Sequence, residues 1–311
     1  MIAALWLVVA IATVALHFSI DARERRQLGI VASDRGRAQA AAHGALAMMQ
    51  ARLDAAQRQL GQGSPLTASM RSSDPWLAID SVFSGEMYID SVRVDVSFQD
   101  PATMLHINNA NEVQLRTFFS YVLRDVQRGE VIAQSIIDWR DPDTLPRANG
   151  AEALDYIKKE KLVLPPNAPF REVSDLLHVN GMTPEIYEEV APYLTVRGTG
   201  QININNAPEP VLRTLPGITD DVVATILSMR AMGRRIESLN QVFAALQPQG
   251  GRGGGAGTNP QQARMQGMTT VRSTVMEITM TAQASPQAAP TRLVAEITRN
   301  NTSTTVTARR W

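Results

Sequence analysis

The chain has 311 residues, of which 44% are hydrophobic, enough for two cores of ordinary domain size. Lysine plus arginine and aspartate plus glutamate both number 30, so the net charge is +0 and no long-range field draws the protein to a polyanion. The absence of cysteine excludes disulfides, thiolate metal sites and cysteine nucleophiles together.

Residues 1–20 contain no Asp, Glu, Lys, Arg, Pro or Gly, and Asp21-Ala-Arg-Glu-Arg-Arg26 then turns the chain polar. A helix of that length spans about 30 Å, the thickness of a bilayer's hydrocarbon core. The expectation is the transmembrane part of an N-terminal helix, crossing once, with a water-soluble body beyond it. Leu5, Trp6, Leu7, Val8, Val9, Ile11 and Val14 are its candidate membrane and assembly residues. Arg23, Arg25, Arg26, Arg35 and Arg37 follow it, and the positive-inside rule would hold them in the cytoplasm unless a basic leader upstream of Met1 is missing or removed.

Ala38, Ala41, Ala45, Met49, Leu53, Ala56 and Leu60 recur at three- and four-residue steps, so the same helix is expected to continue, with bends at Gly29, Gly36 and Gly44 and an end at Gly61-Gln-Gly-Ser-Pro65. Val92, Val94, Val96 and Phe98 then alternate with polar residues, as in a strand with one buried face. Alternation returns only late, at Met276, Ile278 and Met280, at Leu293, Ala295 and Ile297, and at Thr304, Val306 and Ala308. Residues between read as helices broken by turns. The fold class is therefore α+β: a long N-terminal helix on an antiparallel sheet, with a large all-α domain inserted. The expected boundaries are 21–103 with 258–311 for the discontinuous α+β domain, 104–247 for the insert, and 248–257 for a glycine-rich linker.

The insert contains a repeat: Ile107-Asn-Asn-Ala-Asn-Glu-Val-Gln-Leu-Arg-Thr117 matches Ile204-Asn-Asn-Ala-Pro-Glu-Pro-Val-Leu-Arg-Thr214 at eight of eleven positions, which predicts two related halves. Asn109 with Glu112, and Asn206 with Glu209, have the spacing of N-cap and N3 residues of a new helix. Two stretches read as helix-hairpin-helix units. In residues 212–230 a Pro-Gly turn precedes a helix capped by Thr219, and in residues 177–186 Gly181 precedes Thr183-Pro184. DNA-binding versions turn the amides of a Gly-hydrophobic-Gly turn toward phosphate. Here Thr219 and Thr183 replace the second glycine. The charge is balanced in residues 203–246 and acidic in 170–196, so a scaffold use is preferred and no nucleic acid is expected.

The order of Leu5-Trp-Leu-Val-Val9, Ile137-Asp-Trp-Arg-Asp-Pro-Asp143, Gly150-Ala-Glu152, Phe170-Arg-Glu-Val-Ser-Asp-Leu-Leu177, Ala191-Pro-Tyr-Leu-Thr-Val196 and Ile202-Asn-Ile-Asn-Asn-Ala-Pro208 resembles the K-type minor pseudopilins of the bacterial type II secretion system. The resemblance implies a pilin-like fold with an α insert, an inner-membrane anchor, and a periplasmic body. It also implies a place at the tip of a pseudopilus beside the other minor pseudopilins, of the I and J types, within the secretion machinery. Ordinary pseudopilins carry a glutamate near the mature N-terminus, whereas no acidic residue precedes Asp21 here, which fits a capping subunit. The family's short basic leader is also absent, so a processed form or a start placed downstream is expected. The alternative weighed beside the capping subunit is a membrane-tethered helix-hairpin-helix DNA receptor of the competence type, whose domain resembles residues 202–246.

Asp138, Asp141 and Asp143, with Glu152 nearby, place carboxylates at short spacing in a proline-containing turn and suit an oxygen-loving ion such as calcium. The same residues also suit a purely structural use, as a helix end, turn acceptors and a helix start. His17, His43, His106 and His178 are scattered, and no nucleophile elbow, metalloprotease helix or phosphate loop accompanies them, so the expectation is a protein that is not an enzyme.

Overall fold

A computed structural model describes residues 2–61, 85–246, 260–299 and 303–310. The chain runs α1 (Ile2–Gly61), β1 (Gly85–Ile89), β2 (Val92–Gln99), β3 (Leu105–His106), α2 (Glu112–Leu123), α3 (Val126–Arg140), α4 (Ala153–Lys158), α5 (Pro184–Val190) and β4 (Leu194–Thr195). It continues β5 (Ile202–Asn203), α6 (Glu209–Leu212), α7 (Asp220–Ala231), α8 (Leu239–Leu246), α9 (Pro260–Met265), β6 (Thr269–Thr270), β7 (Val275–Gln283), β8 (Thr291–Arg299) and β9 (Thr304–Arg310). Two compact units result, one of residues 1–98 with 277–311 and one of residues 99–276.

In the first unit, α1 runs as one continuous helix through Gly29, Gly36 and Gly44. Ala38, Ala41, Ala42, Ala45, Leu46, Met49 and Leu53 are buried. Small residues let the helix approach closely: a Cβ on Gly44 would stand 3.3 Å from Ile89. Polar contacts fix the helix as well. Asp54 accepts from the backbone amide and the hydroxyl of Thr304, both at 2.7 Å, and the Ser285 hydroxyl donates to Asp34 at 3.0 Å. Toward the N-terminus the apolar side chains turn to solvent, with Trp6 70% and Phe18 74% exposed. The side chains of Leu5, Val8, Ala56 and Leu60 lie outside the described residues, and among the described residues no helix is long and apolar enough to cross a membrane.

The sheet has the order β1-β2-β7-β8-β9. Its pattern follows the alternation of the sequence, with Val92, Val94, Val96, Ile278, Met280, Leu293, Ala295 and Ile297 buried. Strand β1 is an addition to the expected set. It pairs antiparallel with β2 through a tight turn in which Asp90 and Ser91 adopt φ of 45° and 64°, a conformation usually signalled by glycine or asparagine.

The second unit begins and ends differently from the expected insert. Residues 260–276 belong to it rather than to the α+β domain, because Met265 is buried in its core and β6 pairs with β5. The expected linker at 248–257 lies outside the described residues. Among its described residues the unit is mainly helical, with two short parallel pairs, β3 with β4 and β5 with β6.

These pairs expose what the repeat does. Ile107 and Ile204 are buried and continue the two ladders, their amides donating to Thr195 O at 2.9 Å and Thr270 O at 3.0 Å. The next residue then grips a distant backbone segment with its side-chain amide. Asn108 exchanges bonds of 2.8 and 2.9 Å with Phe170, and Asn205 does so at 2.9 and 2.8 Å with Ile236. An arginine at the end of each following long helix reaches back to the motif. Arg140 donates to the carbonyls of Ile107 and Ala110, while Arg230 donates to those of Ile204 and Ala207, the latter at 2.7 Å. Burial pushes both guanidiniums down, to about 10, which leaves them charged at neutral pH.

The repeated asparagines therefore do not cap helices as expected. Asn111 is the N-cap of α2 and shares a capping box with Gln114, and α6 starts at Pro208 without a side-chain cap. Thr219 occupies the N-cap of α7 without a side-chain bond, whereas Thr183 accepts from the Ile186 amide at 3.3 Å as expected.

Charge-assisted bonds to buried carbonyls carry a large stability increment. Arg230→Met should therefore lower the unfolding free energy by about 2–4 kcal/mol in urea titration. His106 provides a pH test. Burial lowers its pKa, the charges of Arg140 and Arg197 lower it further, and its Nδ1 accepts from the Asn108 amide at 3.2 Å. Its contribution is complete above the unfolded value of about 6.5 and is lost as pH falls below it. Between about pH 7.5 and about pH 5.5, His106→Gln should lose less stability than the unsubstituted chain.

Candidate metal centre

Helix α3 delivers Asp138 and Asp141 to the start of the loop 141–152, and Glu152 closes that loop at the N-terminus of α4. Beneath it lies an aromatic layer. Trp139 stacks on Phe170 and His178 at 6.0 and 6.5 Å and meets Tyr156 at 5.8 Å. The Tyr156 hydroxyl accepts from the Asn180 amide at 2.7 Å, and burial pushes its pKa up to about 12.

Of the four expected carboxylates, Asp141, Asp143 and Glu152 come together, with one oxygen of each within 4.8 Å of the others. Asp138 does not join them. It is 0% exposed, and both its oxygens are occupied: Oδ1 accepts from Arg147 Nη1 at 2.7 Å and Oδ2 from the Arg147 amide at 3.1 Å. Its role is to pin the loop. The same packing requires Gly150, where a Cβ would fall 1.9 Å from Asp138 Oδ2.

The remaining carboxylates are unevenly satisfied. Asp143 accepts from the Leu145 amide at 2.9 Å through Oδ1. Asp141 accepts from Arg147 through Oδ2 at 2.6 Å, but its Oδ1 is buried without a hydrogen-bond partner. Glu152 is 4% exposed, and neither of its oxygens has a partner. Burial raises the Glu152 pKa, and the neighbouring charges of Asp138 and Asp141 raise it further. Buried polar groups are normally paired, so three unpartnered carboxylate oxygens converging on one loop suit a hard cation with oxygen ligands.

Sequence reasoning missed Arg147, Gly150 and Glu112. Arg147 Nε lies 3.4 Å from Glu112 Oε2 while its Nη1 holds Asp138 and Asp141. Nothing in local spacing marks these partners, because the loop fold brings them together.

In the second helix-hairpin-helix unit, Arg213 and Arg230 are engaged internally. Arg213 bonds Asp220 at 2.5 Å and Glu209 at 2.9 Å and lies over the Tyr121 ring at 4.7 Å, and Arg230 is turned onto its own backbone. Gly181 and Gly217 have φ of +84° and +73° at the two turns. This arrangement uses the hairpins as packing elements and does not favour the DNA-receptor alternative.

A long N-terminal helix on an antiparallel sheet, interrupted between β2 and β7 by a duplicated helical unit, defines a pilin-like protein with an inserted domain. Residues 98–199 match the family model for the first domain of "Type II secretion system (T2SS), protein K". Curated relatives carrying that description are 30% identical over 129 residues in Dickeya chrysanthemi, covering 41% of this chain and 32% of the relative, and 33% identical over 76 residues in Klebsiella pneumoniae, covering 24% and 23%. The matched segments thus span about a quarter to a third of the curated relatives' length. A chain in the crystal structure of the GspK-GspI-GspJ complex from enterotoxigenic Escherichia coli shares the fold, with TM-score 0.58 and 17% identity over 84% of this chain and 98% of that one. Over residues 98–199 the chain is similar to type II secretion protein K.

Replacing Glu152 with glutamine removes a buried unpaired charge. In the presence of chelator, Glu152→Gln should stabilise the protein by about 1 kcal/mol, read from urea midpoints.

Proposed function

We propose that the chain is a K-type minor pseudopilin that caps the tip of a type II secretion pseudopilus and assembles with minor pseudopilins of the I and J types for protein export. The carrying observation is the insertion of a unit of residues 99–276 between two adjacent strands of a pilin-like sheet, in a chain whose residues 98–199 match the protein K family model. The insert is larger than the unit that holds it, and such bulk opposes stacking of identical successors. The structural neighbour comes from a GspK-GspI-GspJ complex, which supports the choice of partners.

Residues 2–20 supply the anchor in this reading. Trp6, Leu7, Val9, Ile11, Val14, Leu16 and Phe18 are all exposed on α1, where lipid or neighbouring helices would cover them, and Leu5 and Val8 belong to the same run. The protein would then cross the inner membrane once, with its body in the periplasm. It works by packing, with no catalytic step.

The loop of Asp141, Asp143 and Glu152 would hold calcium. Their oxygens would ligate the ion, whose charge would neutralise the crowded carboxylates and stiffen the loop above Trp139. Arg147, Asp138 and Gly150 preform that loop.

Co-expression with the I- and J-type pseudopilins of the same bacterium should give a complex that co-elutes in detergent, and duplex DNA should leave the chain's elution unchanged at low salt. A chain that remains alone, or one retarded by DNA in a salt-dependent manner, would contradict the reading. Calcium should raise the melting temperature of the chain but not that of Glu152→Gln.

A further inference from the structure

We infer that Arg147 is a resident cation that sets the affinity of the carboxylate centre for divalent ions, by neutralising one half of an acidic basin and leaving the other half for a metal. The inference rests on the calcium reading of the same loop, and it assigns a role to a residue outside the ligand set.

The geometry supports a division of labour. Five carboxylates border the loop: Glu112, Asp138, Asp141, Asp143 and Glu152. Arg147 takes three of them, through Nε toward Glu112 at 3.4 Å and through Nη1 to Asp138 at 2.7 Å and Asp141 at 2.6 Å. Asp141 is the shared member, because the oxygen that faces away from Arg147 is buried and unpartnered. Glu152 has no hydrogen-bond donor at either oxygen, although it is almost completely buried. An incoming cation would satisfy it.

Two consequences follow from charge. The loop keeps a fold without metal because Asp138, its most buried carboxylate, is matched by Arg147. A divalent ion seated between Asp141, Asp143 and Glu152 is repelled by that guanidinium and shares one ligand with it, so binding is weaker than the carboxylates alone would give.

The test uses the full chain in detergent, with calcium chloride as the probe, titrated calorimetrically and by thermal melting. Arg147→Gln should bind calcium about tenfold more tightly, the effect of one removed positive charge beside a divalent ion with water-like screening. Its melting temperature should fall in chelator, and calcium should raise it further than it raises that of the unsubstituted chain. Arg147→Lys, which keeps the charge, should retain the original affinity.

Equal or weaker binding by Arg147→Gln would overturn the inference while leaving the calcium reading intact. Binding by Arg147→Gln alone, with the unsubstituted chain silent, would support the inference and contradict the calcium reading. Silence in both would overturn both. Should Arg147→Gln fold only when calcium is present, the ion's charge offsets the lost guanidinium, which supports a shared acidic basin; failure to fold at any calcium concentration would show a structural role that a metal cannot replace and would overturn the inference.

Discussion

Strands β2 and β7 are hydrogen-bonded neighbours, yet residues 100–274 lie between them, so the two ends of the insert must meet within one strand spacing of about 4.8 Å. The rest of the structure depends on that closure. Loop-closure entropy grows only slowly with length, so a large insert is tolerable if its ends are fixed. They are fixed from inside. Asp100, at the start of the unit, accepts from the Ser273 hydroxyl near its end, and Ser273 in turn accepts from the Asn203 amide at 2.8 Å. Burial raises the Asp100 pKa, while its bonds to Ser273 and to the Ala102 amide pull the other way.

Within the insert the same solution is used twice. A short parallel strand pair, an Ile-Asn-Asn-Ala turn, and a helix whose terminal arginine returns to that turn hold each half together. The gripping groups are side chains, but what they grip is backbone, so the neighbouring segments can differ: Phe170 is held in one half and Ile236 in the other. Of the eight identities in eleven positions, the isoleucines Ile107 and Ile204, the alanines Ala110 and Ala207 and the leucines Leu115 and Leu212 are buried in both halves.

The sequence carried the elements that rest on local periodicity. The apolar N-terminal run, the stripe from Ala38 to Leu53, the alternation in β2, β7, β8 and β9, and the existence of two related halves were all legible in it. Misreadings arose where a residue serves a distant partner. Asn109 and Asn206 have capping spacing because that signal is local, while the clamps of Asn108 and Asn205 connect segments 62 and 31 residues away. Residues 260–276 join the insert because β6 pairs with β5, a long-range match that no alternation announces. The metal candidates were visible as a cluster of acids, but the removal of Asp138 from the ligand set depends on Arg147, which only the folded loop brings beside it. Glu152, almost completely buried with no hydrogen bond to either oxygen, suits a site for a cation.

In the proposed reading, the inserted domain is present once per filament, at its tip. Electron cryo-microscopy of pseudopili assembled with an antibody-tagged version of this chain tests that most directly. The expected image shows the tag at one end of each filament and nowhere along its shaft; regularly spaced tags along the shaft would show that the insert permits successive stacking and would contradict the proposed capping role.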